Sequence, residues 1–460
     1  MGPGARWVAW SLPFLLAWAP GDARAVPSFA RQTGLSCTSC HTVFPQLTSY
    51  GRWFKLNGYT EQRKPEGLAL PPLAVMAMPS FTHTDRGIPG GAAEHFGDND
   101  NFALTQASLF YAGRLFGPYA EKIAGEQIGS YLDHIGTFFQ GTYDGVARHW
   151  SWDNAEIRIA TRRSLFDREL IYGVYANNNP SMQDVWNTTP AWSFPFSSSG
   201  LAPTPAAAPF MTGLGQQVAG AGAYAMLGDR YYAEFGGYTS LSASAQDAMG
   251  TDPEGETQIP GFAPYWRLAV EPDWGKSNHL EIGTYGMYAG TYPGRMRGEG
   301  KDHLTDIGVD AQYQYASDLH DVTARLNVLH ENQDWRASRP LGLASHSSDE
   351  LWSAAASASY LYDKTYGVDL QYFILQGDRD PSFYADSRTG SPRSDGVLAQ
   401  LDWLPLNRRG GPSFWPKSNL KLSAQYVHYF HFDGSSLDHD GTGRRASDED
   451  TLYLELWLVM

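Results

Sequence analysis

From about Pro72 to the C-terminus, apolar and polar residues alternate along the chain with a period of two. Ile307 and Val309 fall on one face of such a segment, whereas Asp310 and Gln312 fall on the other. This period predicts β-strands whose two faces meet different media. In a soluble sandwich the apolar face packs in the core. In an outer-membrane barrel it meets lipid, and the polar face lines the lumen.

The number and spacing of these segments favour the barrel. They give about sixteen predicted strands, an even number, with no helix between them. Short turns such as Gly228-Asp229 and Asp363-Lys364 alternate with long polar loops such as 241–262 and 378–394, which is typical of bacterial outer-membrane barrels. The strands are predicted near 73–84, 102–115, 121–143, 152–163, 169–177, 216–227, 230–241, 264–271, 279–290, 304–316, 321–332, 351–362, 366–377, 395–404, 419–432 and 451–459.

We therefore predict an all-β fold, in which residues 72–460 form a porin-like antiparallel transmembrane β-barrel with a wide lumen. A large soluble β-sandwich or propeller is the alternative. Beyond the N-terminus we find no apolar run long enough for a membrane-spanning helix. The formal net charge of -15 argues against nucleic acid as a partner and suits cationic ones.

Residues 1–25 have the features of a secretory signal peptide. Arg6 provides a positive charge, Val8 to Ala19 form a short apolar stretch, and Ala23-Arg24-Ala25 matches a cleavage site. We expect the signal peptide to be removed and the mature chain to begin at Val26. Export and the barrel pattern together predict the bacterial outer membrane as the location.

The only two cysteines of the chain stand in Cys37-Thr38-Ser39-Cys40-His41, the C-x-x-C-H pattern of c-type haem attachment. In that pattern both thiols bond covalently to the haem and the adjacent imidazole binds the iron. A disulfide would close a very small loop and add little stability. A thioredoxin-like pair would need a βαβ context, which the surrounding sequence lacks. The motif therefore predicts one covalent haem c.

Residues 26–71 form the predicted haem segment. So short a segment cannot build an ordinary core by itself, and chains of this size usually need a covalent or metal staple. Only a brief polar passage, from Glu61 to Pro72, separates it from the first predicted strand. We therefore expect the segment to sit in the barrel lumen. The Asn- and Trp-rich connection from Asn177 to Phe196 also has the composition of an insertion folded into the lumen.

The chain resembles the outer-membrane cytochrome–porin fusions of iron-oxidising bacteria. The resemblance extends over the mature chain in architecture, and its specific motifs lie in Ala25 to Gly34, Cys37 to His41, Gly51-Arg52, Phe54 to Tyr59, Asn177 to Pro180 and Asp184 to Trp192. It implies a single haem c inside a porin-like barrel, oxidation of extracellular Fe(II), and transfer of electrons to a periplasmic c-type cytochrome or another carrier. Carried over by motif, Cys37 and Cys40 are the thioether anchors and His41 is the proximal iron ligand.

The sixth iron ligand is not given by any motif. Met76 and Met78 follow the haem segment and share one face of the first predicted strand, and Met/His ligation raises a haem potential. Met76 is our first candidate, followed by Met78 and His83. An open site with water and methionines that only pack or face lipid are the alternatives.

Three basic residues of the haem segment, Arg31, Arg52 and Lys55, are candidates for pairing with the haem propionates. Ordinary solvated charges are the alternative. The acidic loop 433–450 could draw Fe(II) to the barrel mouth through its oxygen ligands, with a solvated loop as the alternative.

The predicted activity is Fe(II) oxidation by one-electron transfer, which needs no catalytic acid, base or nucleophile. One alternative is that the same haem-bearing barrel serves a different electron donor or acceptor, including a flow of electrons in the opposite direction. A diffusion porin with a structural haem plug is a rival from another class, and a soluble periplasmic haem enzyme is a third.

Overall fold

The computed structural model describes residues 27–62, 71–251, 257–407 and 418–460. The predicted signal peptide and most of the predicted boundary between haem segment and barrel lie outside these residues. Among the helices described, none has the length and apolar character needed to cross a bilayer.

In the described parts of the chain, seventeen strand segments form one antiparallel sheet, in which all segments except β8 and β9 pair with their neighbours in chain order. β1 also pairs with β17, which closes the sheet into a barrel. β8 and the two-residue β9 both pair with β10 and occupy one position, so the closed barrel has 16 strands. The predicted fold class is confirmed. The segments are β1 (Leu73–Thr84), β2 (Asn101–Arg114), β3 (Ile135–Asp144), β4 (His149–Leu165), β5 (Arg168–Asn177), β6 (Val218–Leu227), β7 (Tyr231–Ser240), β8 (Ala263–Val270), β9 (Asp273–Trp274), β10 (Asn278–Thr291), β11 (Asp302–Ala316), β12 (His320–Asp334), β13 (Ser348–Tyr362), β14 (Tyr366–Gly377), β15 (Ser394–Trp403), β16 (Asn419–His431) and β17 (Thr451–Val459).

The helices are short. They are α1 (Pro27–Thr33), α2 (Cys37–Cys40), α3 (Ser49–Leu56), α4 (Ala120–Leu132) and α5 (Ala243–Ala248), and single 3₁₀ turns cover Gly117–Tyr119, Pro190–Trp192, Phe210–Leu214, Pro293–Arg295, Arg297–Glu299, Pro405–Asn407 and Ala446–Glu449.

The sequence prediction was wrong between β2 and β3. The predicted strand 121–143 is α4 over its first half, and β3 begins only at Ile135. The residues from Ala120 onward are mostly good helix formers, and intrinsic propensity favours a helix there. The expectation of a chain without a helical interlude was therefore also wrong.

The two faces of the barrel wall have opposite polarity. On β11, Ile307 and Val309 are 49% and 52% exposed on the outer surface, whereas Asp310 and Gln312 are each 3% exposed on the inside. β14 repeats this pattern, with Leu370 exposed and Asp369 buried. A soluble sandwich would bury the apolar face, so this polarity is that of a barrel surrounded by lipid.

Most long connections lie at one end of the barrel and most short turns at the other. We call these the loop end and the turn end. The loop end carries 85–100, 178–217, 241–251, 257–262, 335–347, 378–393 and 432–450, and the turn end carries the turns 166–167, 228–230, 317–319 and 363–365. In bacterial outer-membrane barrels, the long loops are extracellular and the short turns periplasmic.

Two parts of the chain fill the lumen. The N-terminal segment 27–62 packs α3 against the inner wall, where Arg52 donates to Gln314 of β11 at 3.0 Å. The long connection 178–217 between β5 and β6 contains fully buried residues, among them Met182 and Trp186. We call it the lumen loop.

Candidate cofactor cavity in the barrel lumen

The cysteine motif forms its own short helix. α2 spans Cys37–Cys40, and the backbone N–H of His41 donates to the Cys37 carbonyl at 2.9 Å. Cys40 is buried and Cys37 is partly exposed. The helical turn therefore holds the two sulfurs and the imidazole in one compact group.

The imidazole of His41 is held by the chain that follows it. Its Nδ1 lies 3.2 Å from the Pro45 carbonyl, and a proton on Nδ1 makes this a hydrogen bond that leaves Nε2 as the acceptor. Burial lowers the pKa of His41 to about 4, although backbone contacts with Pro45 and Gln46 act in the opposite direction. The ring is therefore neutral near pH 7, the form in which histidine binds a metal.

His41 borders a partly open cavity of about 420 Å³ inside the barrel. Its walls come from three parts of the chain and are mainly apolar. The N-terminal segment supplies Phe44 and Phe54, the barrel wall supplies Phe110 and Phe138, and the lumen loop supplies Trp192 and Phe196. A mainly apolar cavity of this size that also contains polar side chains, such as Gln106 and Gln140, is typical of a ligand or cofactor site.

Met76 lines the same cavity as His41. It points inward from β1, whereas its neighbour Val75 is exposed on the outer surface. Met78 also points inward and packs with Met76, Phe110 and Ala112. Neither methionine faces lipid. His83 lies near the loop end, with Nδ1 bonded to Asp100 at 2.7 Å and its side chain partly exposed.

The basic residues of the haem segment are engaged with the barrel and the lumen loop. Arg52 forms an ion pair with Glu271. Lys55 lines the cavity and donates from Nζ to the carbonyls of Met182 and Asp184 at 2.7 and 2.8 Å. Arg31 donates to the Leu73 carbonyl at the start of β1. These contacts anchor the segment, and binding of propionates by these residues stays a prediction.

A buried ion pair on β4 joins the segment, the lumen loop and the wall. Glu156 and Arg158 are both 0% exposed, and Arg158 donates to Glu156 from Nε at 2.7 Å and from Nη2 at 3.1 Å. Tyr59 donates to Glu156 at 2.8 Å, and Arg158 donates to the carbonyls of Lys55 and Gln183 at 3.2 and 3.1 Å. The sequence shows both residues on the polar face of a strand, but nothing in it identifies their partners.

The lumen loop is fixed by Asp184. Its carboxylate accepts the backbone N–H groups of Trp186, Thr188 and Thr189 at 3.0 to 3.1 Å, and Arg267 of β8 lies 3.4 Å away. Burial alone raises the pKa of Asp184, but Arg267 and the three N–H groups outweigh burial and lower it. A carboxylate with so many donors stays ionised and holds the loop in one shape.

The acidic loop 433–450 has most of its carboxylates paired. Glu449 accepts from Arg444 at 2.6 Å and contacts His439 at 2.9 Å, and Asp448 pairs with Arg86 at 3.0 Å. These pairs leave less negative charge at the mouth than the sequence indicates. Among the described residues, two other groups bring three ligand atoms within 4.8 Å of one another: Glu271, Asp273 and His279, and His346, Asp349 and Asp380.

No protein-family model matches this chain, and no curated protein sequence matches it. Solved porin structures are similar to it. An anion-selective porin from Comamonas acidovorans has 14% identity and a TM-score of 0.44, covering 84% of this chain and 98% of that one. OmpF of Salmonella typhi, in complex with daunomycin, has 11% identity and a TM-score of 0.44, covering 84% and 97%. The outer membrane channel DcaP of Acinetobacter baumannii has 10% identity and a TM-score of 0.42, covering 84% and 96%.

Proposed function

We propose that this protein holds one covalent haem c in its lumen cavity and carries single electrons across the outer membrane. The observation that carries the proposal is the position of the Cys37 to His41 motif, whose imidazole borders a mainly apolar cavity that Met76 also lines. The residues fit the group, since two thiols and a neutral imidazole stand together in one helical turn.

The chain's own residues would attach, orient and shield the haem. Cys37 and Cys40 would attach it, His41 would bind the iron from one side, and Met76 is our candidate for the other side. The aromatic side chains of the cavity exclude water. When bound, the haem supplies a site that accepts and releases one electron, at a potential set by its axial ligands and burial.

The position of the motif suits delivery of electrons to the periplasm. Cys37 packs against a cluster that contains Leu361 and Leu404. Leu361 is near the end of β13 and Leu404 follows β15, both at the turn end. We propose Fe(II) at the loop end as the donor and a periplasmic c-type cytochrome or similar carrier as the acceptor, as the resemblance to the cytochrome–porin fusions implies.

The test is to mix the oxidised, detergent-purified protein with Fe(II) in a stopped-flow spectrometer. We expect the reduced haem band to appear in the wild type and the haem signal to be lost in His41→Ala. Thr42→Ala, a change just outside the motif, should behave as wild type. If dithionite reduces the haem but Fe(II) does not at any pH tested, the iron assignment is wrong and another donor uses the conduit.

A diffusion porin with a structural haem plug is the second candidate. A closed barrel with a long loop folded into its lumen is porin architecture in its own right. Bilayer conductance separates the two functions. A steady open channel in a protein whose haem exchanges no electrons would establish the porin, whereas a conduit with a filled lumen should conduct few ions.

A further inference from the structure

Arg325 differs from the other buried arginines of the lumen. It points inward from β12 and is 7% exposed. Arg52, Arg158 and Arg267 each meet a carboxylate, namely Glu271, Glu156 and Asp310. Arg325 has only two long contacts of 3.5 Å, from Nη1 to the hydroxyls of Ser357 and Ser359.

Two of its nitrogens lack acceptors. Among the described residues, no hydrogen-bond partner reaches Nε or Nη2 of Arg325. Asp369 of β14 is the acid whose charge acts on it, but it forms no ion pair with Arg325. A buried cation is costly unless it is paired and hydrogen-bonded. The free edge of the guanidinium, Nε and Nη2, has the fork geometry that binds a carboxylate through two hydrogen bonds.

The guanidinium lies beside the cavity. Its Cζ is 5.5 Å from the ring centroid of Phe196, which lines the cavity. Gln312, directly opposite Arg325 in the strand register, donates to the carbonyl of Trp186 in the lumen loop. Arg325 therefore stands where the wall meets the loop that covers the cavity.

Arg325 is also on the part of the wall against which the cysteine motif packs. Ser357, Ser359 and Leu361 share the inner face of β13, with about 6.8 Å between successive same-face residues, and Leu361 belongs to the cluster that Cys37 contacts. Haem c is attached by its vinyl edge, and its two propionates project from the opposite edge. Phe196 borders both the cavity and the Arg325 guanidinium, so carboxylates in the part of the cavity that Phe196 lines would come near Arg325.

We infer that Arg325 binds a propionate of the haem through Nε and Nη2. This inference rests on the proposed function, because it requires the cofactor to be present. Arg325 would then be a positioning residue that fixes the acidic edge of the haem, a role for which Arg31, Arg52 and Lys55 are the candidates from the sequence.

The experiment measures the midpoint potential of the haem between pH 5 and pH 8 in wild type, Arg325→Gln and Arg325→Lys. Removal of a positive charge beside the propionate disfavours the added electron, so the potential should fall in Arg325→Gln. We expect about a tenfold change in the reduction equilibrium, which is 59 mV for one electron. The unpaired propionate should also take up protons in this range and make the potential depend on pH. Arg325→Lys keeps the charge and should shift less.

Arg336→Gln is the matched control, since it removes one positive charge from a fully exposed residue just beyond β12. It should leave the potential unchanged. If the haem is present and Arg325→Gln matches wild type in potential and pH dependence, the inference is wrong. If the wild type contains no haem, the proposed function itself fails, and a pyridine haemochrome assay shows this first.

If Arg325→Gln does not fold, the wild type still tests the inference. In infrared difference spectra of protein carrying haem labelled with ¹³C at the propionates, one propionate should stay ionised down to pH 5. Protonation of both propionates together, in the range of ordinary carboxylic acids, would contradict it.

Discussion

The ion pair of Glu156 and Arg158 gives the sharpest test of how the haem segment is held. Glu156→Gln keeps the shape of the side chain but removes the negative charge opposite Arg158. Arg158 is then a buried cation without a counter-charge for as long as α3 covers it. Both residues stand on the barrel wall. When the segment 27–62 undocks from the wall, water reaches Arg158. The substitution therefore destabilises only the docked state.

The size of the effect follows from the contacts. Loss of one partner of a buried ion pair costs about 3–5 kcal/mol. The glutamine still offers one acceptor, and Arg158 keeps its bonds to the carbonyls of Lys55 and Gln183. We therefore expect about 3 kcal/mol, which is more than a hundredfold in the docking equilibrium because about 1.4 kcal/mol is tenfold.

Hydrogen–deuterium exchange of the detergent-purified protein measures this directly. Peptides that cover Ser49–Leu56 should exchange more than a hundredfold faster in Glu156→Gln. Glu331→Gln is the matched control, because Glu331 accepts from the lumen loop at Phe210 and has no hydrogen bond to the haem segment. It should speed exchange at Phe210–Leu214 alone. Equal exchange of α3 in wild type and Glu156→Gln would refute the role of the ion pair in docking.

Three further predictions concern the same site. Burial lowers the pKa of Lys55 to about 7, with Arg158 acting in the same direction, whereas an unfolded lysine titrates near 10.4. Below pH 7 the docked state bears the whole free-energy cost of burying the charged Lys55, and this cost falls as the pH rises. The free energy of docking should therefore become more favourable by about 1.4 kcal/mol per pH unit between pH 7 and 10. Urea titrations should show this slope in wild type and in the exposed control Lys122→Met, but not in Lys55→Met. Met76→Leu should keep the covalent haem but lose the methionine–iron charge-transfer band of the oxidised protein, whereas Met78→Leu should keep both; an unchanged band in Met76→Leu would identify another sixth ligand. Trp186→Ala removes a fully buried side chain that packs on Arg267, at a cost of about 3–5 kcal/mol. It should loosen the lumen loop and raise the ion conductance of planar bilayers, and no rise would show that this side chain does not keep the lumen closed.

The alternation of the sequence was enough to predict the barrel because a period of two directly reports which residues share a face. Ile307 and Asp310 are on the predicted sides of the wall. Alternation cannot identify the secondary structure of a segment whose two faces do not meet two different media. That is why α4 at the turn end was predicted as part of a strand, and why the two-residue β9, separated from β8 by Glu271 and Pro272, was not predicted.

The cavity was predictable only in part. The spacing of Cys37, Cys40 and His41 is local, so it predicts haem attachment without any knowledge of the fold. The pairing of Arg52 with Glu271 joins residues 219 positions apart. It depends on which wall α3 meets, and that is decided by the packing of the whole lumen. The surroundings of Arg325 likewise depend on packing, because the sequence shows it only as one of many polar residues on the inner face of a strand.

The walls of the cavity show why the two parts of the chain depend on each other. His41 and Phe44 come from a segment too short to enclose a cofactor, Met76 and Phe110 come from the barrel, and Trp192 comes from the lumen loop. None of the three parts forms the cavity alone. The haem segment therefore differs from a cytochrome domain tethered to a porin, because its apolar surroundings exist only while it is docked. If the proposed haem is bound, undocking would expose it to water and open the lumen in the same step, so a variant that raises conductance through release of the segment should also change the haem potential. A variant that alters conductance by moving the lumen loop at its far end, near Phe210, should leave the potential unchanged.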